Sequence, residues 1–242
     1  MLGAAEREGY AALPPVRRRQ FLLGRIAAKD AVRGLLWSEG EGDVYPAEIS
    51  VHNDDEGRPF VRGVHGRTVG DLTVSIAHRG ECGVAIARRG PCGIDVEEIT
   101  ARPPATLEAA CGPDELALLR GLSGSGPMGE DAEKPAEPGS SGEPGSSGEP
   151  GSSGDSGSEE VWFTRFWAAK EAVAKLRGTG LRGRPSDYEV VEAESGRLRV
   201  RHGGDSYEVR VRETSNPPGL PERRYVVAWA AGYDESGVRD DH

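Results

Sequence analysis

Residues 123–158 divide this chain. Ten Gly, ten Ser and five Pro fill 25 of these 36 positions, and the hexapeptide EPGSSG repeats three times in tandem from Glu137 to Gly154. The stretch holds no aromatic residue and no Leu, Ile or Val. Nothing in it can be buried to offset the entropy of ordering, which predicts a disordered Gly/Ser/Pro/Glu-rich insertion. A polar repeat of six residues is also too short for a solenoid. The fold must come from the flanking segments, read as an N-terminal lobe over 1–122 and a C-terminal lobe over 159–242. Each is about 100 residues, so each needs its neighbour or an adequate core of its own.

The charge balance narrows the function. Thirty Lys+Arg stand against 40 Asp+Glu in 242 residues, a formal charge of −10. The insertion carries seven acids and one lysine, so the remainder carries about −4. Nucleic-acid binding requires a basic footprint, and this chain lacks one. No apolar run approaches the roughly 18 residues of a membrane span. The start, MLGAAEREGYAALPP, has no basic region followed by an apolar stretch, so no signal peptide is expected. Cys82, Cys92 and Cys111 contain no CxxC, which argues against a disulfide framework or structural zinc and fits a reducing, cytoplasmic location.

Hydrophobic spacing predicts a helix over 16–36, where Leu22, Leu23, Ile26, Ala27 and Leu35 recur at helical intervals. Arg25, Lys29 and Arg33 form one basic stripe along it. Strand-like runs follow: AEISVH, RPFV, LTVSIAHRG, CGVAIARR and GPCGIDVEEI, then a short helix at PDELALL. Beyond the insertion, VWFTRFWAAKEAVAKLRG predicts a helix ended by Gly178 and Gly180. YEVVEA, LRVRHGG, YEVRVRE and RYVVAWAAG alternate as antiparallel strands do. Helices and strands mix in both halves without regular βαβ alternation, which predicts an α+β fold.

Four places carry candidate chemistry. In GIDVEE, Asp95 and Glu97 are two apart on a predicted strand, so both face one side while Ile94 and Val96 face the other. Adjacent carboxylates repel unless a proton or cation lies between them, and paired hard oxygens suit Mg²⁺; solvated acids on a strand edge are the plainer reading. In FWAAKEAVAKL, Trp167, Glu171 and Lys175 share a helix face, and Lys170 adjoins Glu171. That set is either a surface Glu–Lys pair or a third metal carboxylate with two ammonium groups for phosphate oxygens. In SIAHRG, His78 is placed to donate to a phosphate or is merely exposed. Cys82 lies four residues on, but no orienting group or nucleophile signature supports a Cys–His catalyst. Arg58 sits in the turn EGRPF as a surface arginine or an anion contact.

The order of these blocks is more specific than any one. EGRPF, SIAHRG, GIDVEE and FWAAKEAVAK with GTGL behind it resemble the 4'-phosphopantetheinyl transferases, in particular the larger, pseudo-dimeric type of the surfactin-synthetase activating enzyme. The resemblance is anchored from about Arg58 to Leu181. It implies two similar lobes, each with a small antiparallel sheet and a long helix, in a monomeric enzyme. It implies transfer of the phosphopantetheine arm of coenzyme A to a serine of an apo acyl or peptidyl carrier protein, with release of adenosine 3',5'-bisphosphate. Asp95, Glu97 and Glu171 would hold Mg²⁺; Lys170, Lys175 and His78 would steady phosphate charge; Arg58 would meet the nucleotide, with Arg25 and Lys29 as further anion contacts. Catalysis would rest on Glu171, Lys175 and Asp95, with Glu171 taking the serine proton directly or through a water. Ala77 stands where many relatives have serine, a departure that Arg79 could offset. A catalytically inactive relative that only binds coenzyme A or the carrier, and an unrelated Mg²⁺-dependent phosphohydrolase, are the alternatives.

Overall fold

Alternation of apolar and charged residues builds most of the sheet structure. In β7 (Arg197–His202) Leu198 and Val200 are buried while Arg197, Arg199 and Arg201 are exposed, and in β8 (Asp205–Ser215) Val209 and Val211 point inward. These strands belong to a computed structural model that describes residues 2–124 and 157–232. The expected disorder of the insertion concerns residues that lie almost entirely outside that description.

The chain opens with α1 (Ala4–Ala12) and α2 (Pro15–Ser38), the latter with Pro15 in its first turn, where a missing N–H costs nothing. A short 3-10 turn at Pro46–Glu48 leads into β1 (Ile49–Asn53), β2 (Pro59–Gly63), β3 (Thr73–Arg79), β4 (Cys82–Arg88) and β5 (Cys92–Glu98). Then come α3 (Pro104–Ala110), α4 (Pro113–Leu122) and α5 (Glu159–Leu176). A second 3-10 turn at Pro185–Asp187 precedes β6 (Glu189–Glu194), β7, β8 and β9 (Arg224–Ala231). Every strand pair is antiparallel, and the fold is α+β. α1 and α3 are too short for their periodicity to signal them in the sequence. Among the described residues no helix is long and apolar enough to cross a membrane.

β1 pairs with β2 and β3 with β4, while the other five strands form one sheet in the order β5-β9-β8-β7-β6. One core lies between α2 and the hairpins, around Ala28, Val32, Leu36, Ile49, Val51 and Val74. The larger lies between α5 and the five-stranded sheet, around Phe166, Ala169, Val173, Val209 and Val226. Leu107, Ala110 and Leu119 of α3 and α4 are part of it. Packing therefore corrects the lobe boundary expected at 122. β5, α3 and α4 precede the insertion but pack with the elements that follow it, because their apolar faces match α5 and the edge of β9. β3 and β5 meet where the Ile94 N–H donates to Ser75 Oγ at 3.1 Å.

α5 ends in a Schellman motif: the Gly178 N–H donates to the Lys175 carbonyl and the Thr179 N–H to the Ala174 carbonyl, with Gly178 at φ 68°. The helix lies directly on β5. A Cβ on Gly93 would sit 2.0 Å from the Ala172 carbonyl oxygen and 2.5 Å from the Leu176 nitrogen. Gly93→Ala must push strand and helix apart, and over-packing against backbone costs about 3 kcal/mol, the upper end of the usual range. Urea denaturation should show that loss; unchanged stability would mean the contact is looser than described.

Candidate active site

The closeness of α5 to β5 brings four charged side chains together. Along β5, Gly93, Asp95 and Glu97 lie opposite Ala230, Ala228 and Val226 of β9 and so share the face that α5 covers. Ile94 and Val96 face the other way, and Val96 packs with Ala77 and Tyr225. From α5, Lys175 donates to Asp95 Oδ1 at 2.7 Å and to the Ile94 carbonyl at 3.1 Å. Glu171 stands one turn earlier on the same face.

The cluster is short of positive charge. Asp95 is 6% exposed and its second oxygen, Oδ2, is buried with no hydrogen-bond partner. Glu97 Oε2 is likewise buried and unbonded. Arg79 Nε and Arg102 Nη2 each stand 3.6 Å from it, within ion-pair range but beyond a good hydrogen bond. Burial pushes the Glu97 carboxyl above the ordinary range, and the neighbouring Asp95 charge pushes it further, against the pull of Arg79, Arg102 and Lys175. Burial also raises Glu171, with Asp95 and Glu97 adding and Lys175 opposing. Two half-buried carboxyls raised by burial and by the Asp95 charge, with little positive charge to offset it, favour the approach of a cation.

A divalent cation fits that donor set in part. Among the described residues, no three His, Cys, Asp or Glu side chains converge at ligating geometry. Two orphaned carboxylate oxygens with a third carboxylate nearby nevertheless match how Mg²⁺ is usually held, by one or two protein carboxylates plus phosphate and water.

The other expected contacts divide into two groups. Arg58 lies against Gly178, its Nη1 3.7 Å from where a Cβ would be, so the EGRPF turn reaches the end of α5. It is held by Asp54 at 2.8 Å and Glu56 at 2.7 Å. Arg25 stacks on Phe21 and donates to Asn53 Oδ1 at 3.0 Å, in the same turn region. His78 is exposed beside the β3–β4 turn. Lys29 and Lys170 are different, and the expectation of phosphate contact is corrected for both. Each is 1% exposed and locked to a buried glutamate, Lys29 to Glu6 at 2.6 Å and Lys170 to Glu115 at 2.7 Å. Lys170 is five residues from Lys175, which places it about 140° round the helix, away from β5. The basic stripe of α2 is therefore no solvent face: Arg33 also turns back, onto the Val44 carbonyl at 2.6 Å.

Sequence reasoning missed Gly93 and Arg102. Gly93 opens the GIDVEE block and could have been read as a point of close backbone approach. Arg102 lies in an irregular loop, and nothing in its local sequence marks it.

The family model of the 4'-phosphopantetheinyl transferase superfamily matches residues 91–230. That is more than half of the chain, and it contains Asp95, Glu97, Glu171 and Lys175. The chain belongs to the 4'-phosphopantetheinyl transferase superfamily. Membership of these transferases brings coenzyme A and carrier proteins as the general partners and phosphopantetheine transfer as the general reaction. No curated protein matches the chain significantly.

Burial of Glu171 beside other acids has a measurable cost. Because Glu171 is harder to ionise in the folded than in the unfolded state, the folded protein binds more protons above the ordinary glutamate range. Stability then falls as pH rises through the raised value. Glu171→Gln should raise the melting temperature of the metal-free protein at pH 7, and the gain should vanish near pH 4. An equal gain at both pH values would contradict this origin.

Proposed function

We propose that this chain moves the 4'-phosphopantetheine arm of coenzyme A to a serine of an apo acyl or peptidyl carrier protein, releasing adenosine 3',5'-bisphosphate in a Mg²⁺-dependent reaction. The observation that carries the reading is the meeting of Asp95 and Glu97 on β5 with Glu171 and Lys175 on α5, inside the region that matches the family. The serine oxygen attacks the pantetheine-side phosphorus of the pyrophosphate, the bond from that phosphorus to the bridging oxygen breaks, and the serine proton leaves to a base.

Asp95 and Glu97 would hold Mg²⁺, with Glu171 as the third carboxylate; the ion would supply Lewis-acid stabilisation of the charge that develops on the pyrophosphate oxygens. Lys175 contributes a positive charge on the same side, fixed in place by Asp95 and the Ile94 carbonyl. Glu171 takes the serine proton. It would do so directly or through a water. Arg58, beside Gly178, and Arg25, beside the same turn, would meet the nucleotide end, and His78 a phosphate. Of their present partners, Glu56 and Asn53 are exposed and Asp54 is half-buried, and an anionic ligand could compete with them for the two arginines.

The larger two-lobed, monomeric and cytoplasmic type is part of the proposal. Its two-lobed form is supported by a recurrence in the order of elements: two helices, a 3-10 turn and four strands occur before β5, and again from α4 to β9.

Intact-mass spectrometry of apo acyl and apo peptidyl carrier proteins, incubated with the chain, coenzyme A and Mg²⁺, should show a gain of one phosphopantetheine that EDTA abolishes. Asp95→Ala and Glu171→Ala should each lower the rate about a hundredfold or more while leaving the protein folded. Coenzyme A binding without any mass gain would favour a relative that only binds.

A further inference from the structure

The two buried lysines that do not reach the site share one arrangement. Glu6 is the third residue of α1, and its Oε2 accepts the Gly3 N–H at 2.8 Å and Lys29 Nζ at 2.6 Å. Its Oε1 accepts the Val51 N–H of β1 at 3.2 Å. Glu115 is the third residue of α4, and its Oε2 accepts the Gly112 N–H at 3.4 Å and Lys170 Nζ at 2.7 Å. Its Oε1 accepts the Val190 N–H of β6 at 3.0 Å. Each lysine donates once more to a carbonyl, Lys29 to Pro46 and Lys170 to Ala110. The same clamp thus joins a short helix, a long helix and the first strand after a 3-10 turn in two places.

The residues beside the clamps differ. Lys170 is followed by Glu171, which faces Asp95 and Glu97. Lys29 is followed by Asp30, whose side chain is 59% exposed and paired with Arg33 on its own helix. Five residues beyond Lys170 stands Lys175, bonded to Asp95; five beyond Lys29 stands Gly34, with open space around it.

A buried ion pair is weak support for stability, since well-packed apolar residues often hold as well or better. What it supplies is direction. Lys170 is bonded to Glu115 and the Ala110 carbonyl, and Glu115 in turn to β6, so the clamp opposes rotation of α5 about its axis. Glu171 projects from the next position. A side-chain carboxylate lies about 6 Å from a helix axis, so a 10° rotation would move it roughly 1 Å. A displacement of that size costs on the order of a hundredfold in rate.

We propose that Glu115 and Lys170 are positioning residues of the candidate site, setting the rotation of α5 that turns Glu171 and Lys175 toward β5, and that Glu6 and Lys29 are the same clamp with no site to serve. This rests on the transfer reaction proposed above. The first clamp is therefore a control built into the same molecule. Two double variants should be compared in the full chain, Glu115→Gln with Lys170→Met, and Glu6→Gln with Lys29→Met. The readouts are melting temperature, kcat for carrier modification and KM for coenzyme A.

Both variants should melt at similar temperatures. The first should lose about a hundredfold in kcat with little change in KM, and the second should keep kcat within about twofold. Unchanged kcat in the first, or equal losses in both, would overturn the proposal. Should the first fail to fold, Lys170→Arg keeps the charge but misplaces the donor, and it should show the same selective loss of kcat. Wild-type kcat in that variant would overturn the proposal too. Wild-type protein that transfers nothing would instead remove the reaction on which it rests.

Discussion

The contact between Gly93 and the backbone of α5 is the constraint on which the rest depends. Only a glycine lets β5 come so close to the Ala172 carbonyl and the Leu176 nitrogen. That closeness places Asp95, two residues along the strand, within 2.7 Å of Lys175. It also buries Glu97 and Glu171 beside Asp95, and burial and that charge together raise the proton affinity of both. A larger residue at 93 would separate the strand and the helix that together make the site.

The site is poorly arranged for stability. Buried carboxylate oxygens on Asp95 and Glu97 have no hydrogen-bond partner, and one lysine with two distant arginines faces three acids. Unsatisfied buried groups of this kind are costly, and they gather where a protein uses charge rather than packing. The buried pairs elsewhere are the contrast. Glu6 and Glu115 each accept at least three donors, among them a buried lysine. Carboxylates drawn inside the fold thus serve different ends, and the donors around each tell them apart.

Period-two patterns make the strands legible and put Asp95 and Glu97 on one face. The helical spacing of Glu171 and Lys175 was equally plain. The fate of Lys29 and Lys170 was not. Their glutamate partners lie 23 and 55 positions away, and no local pattern announces a buried ion pair over such distances. The placement of β5, α3 and α4 with the elements beyond the insertion was hidden for the same reason. The composition break at 123 marks a change in the sequence, whereas the packing boundary is set by which apolar faces match. Arg102 could not be found from its loop, because its approach to Glu97 depends on how the chain leaves β5.

The central claim is that coenzyme A binds with its pyrophosphate beside a divalent cation held by the acids of β5 and α5. Phosphorus NMR of coenzyme A bound to this chain with Mn²⁺ tests it most directly. The account predicts strong broadening of the two pyrophosphate resonances, weaker broadening of the 3'-phosphate, and loss of both effects in Asp95→Asn. Equal broadening of all three phosphates, or a pattern untouched by Asp95→Asn, would contradict it.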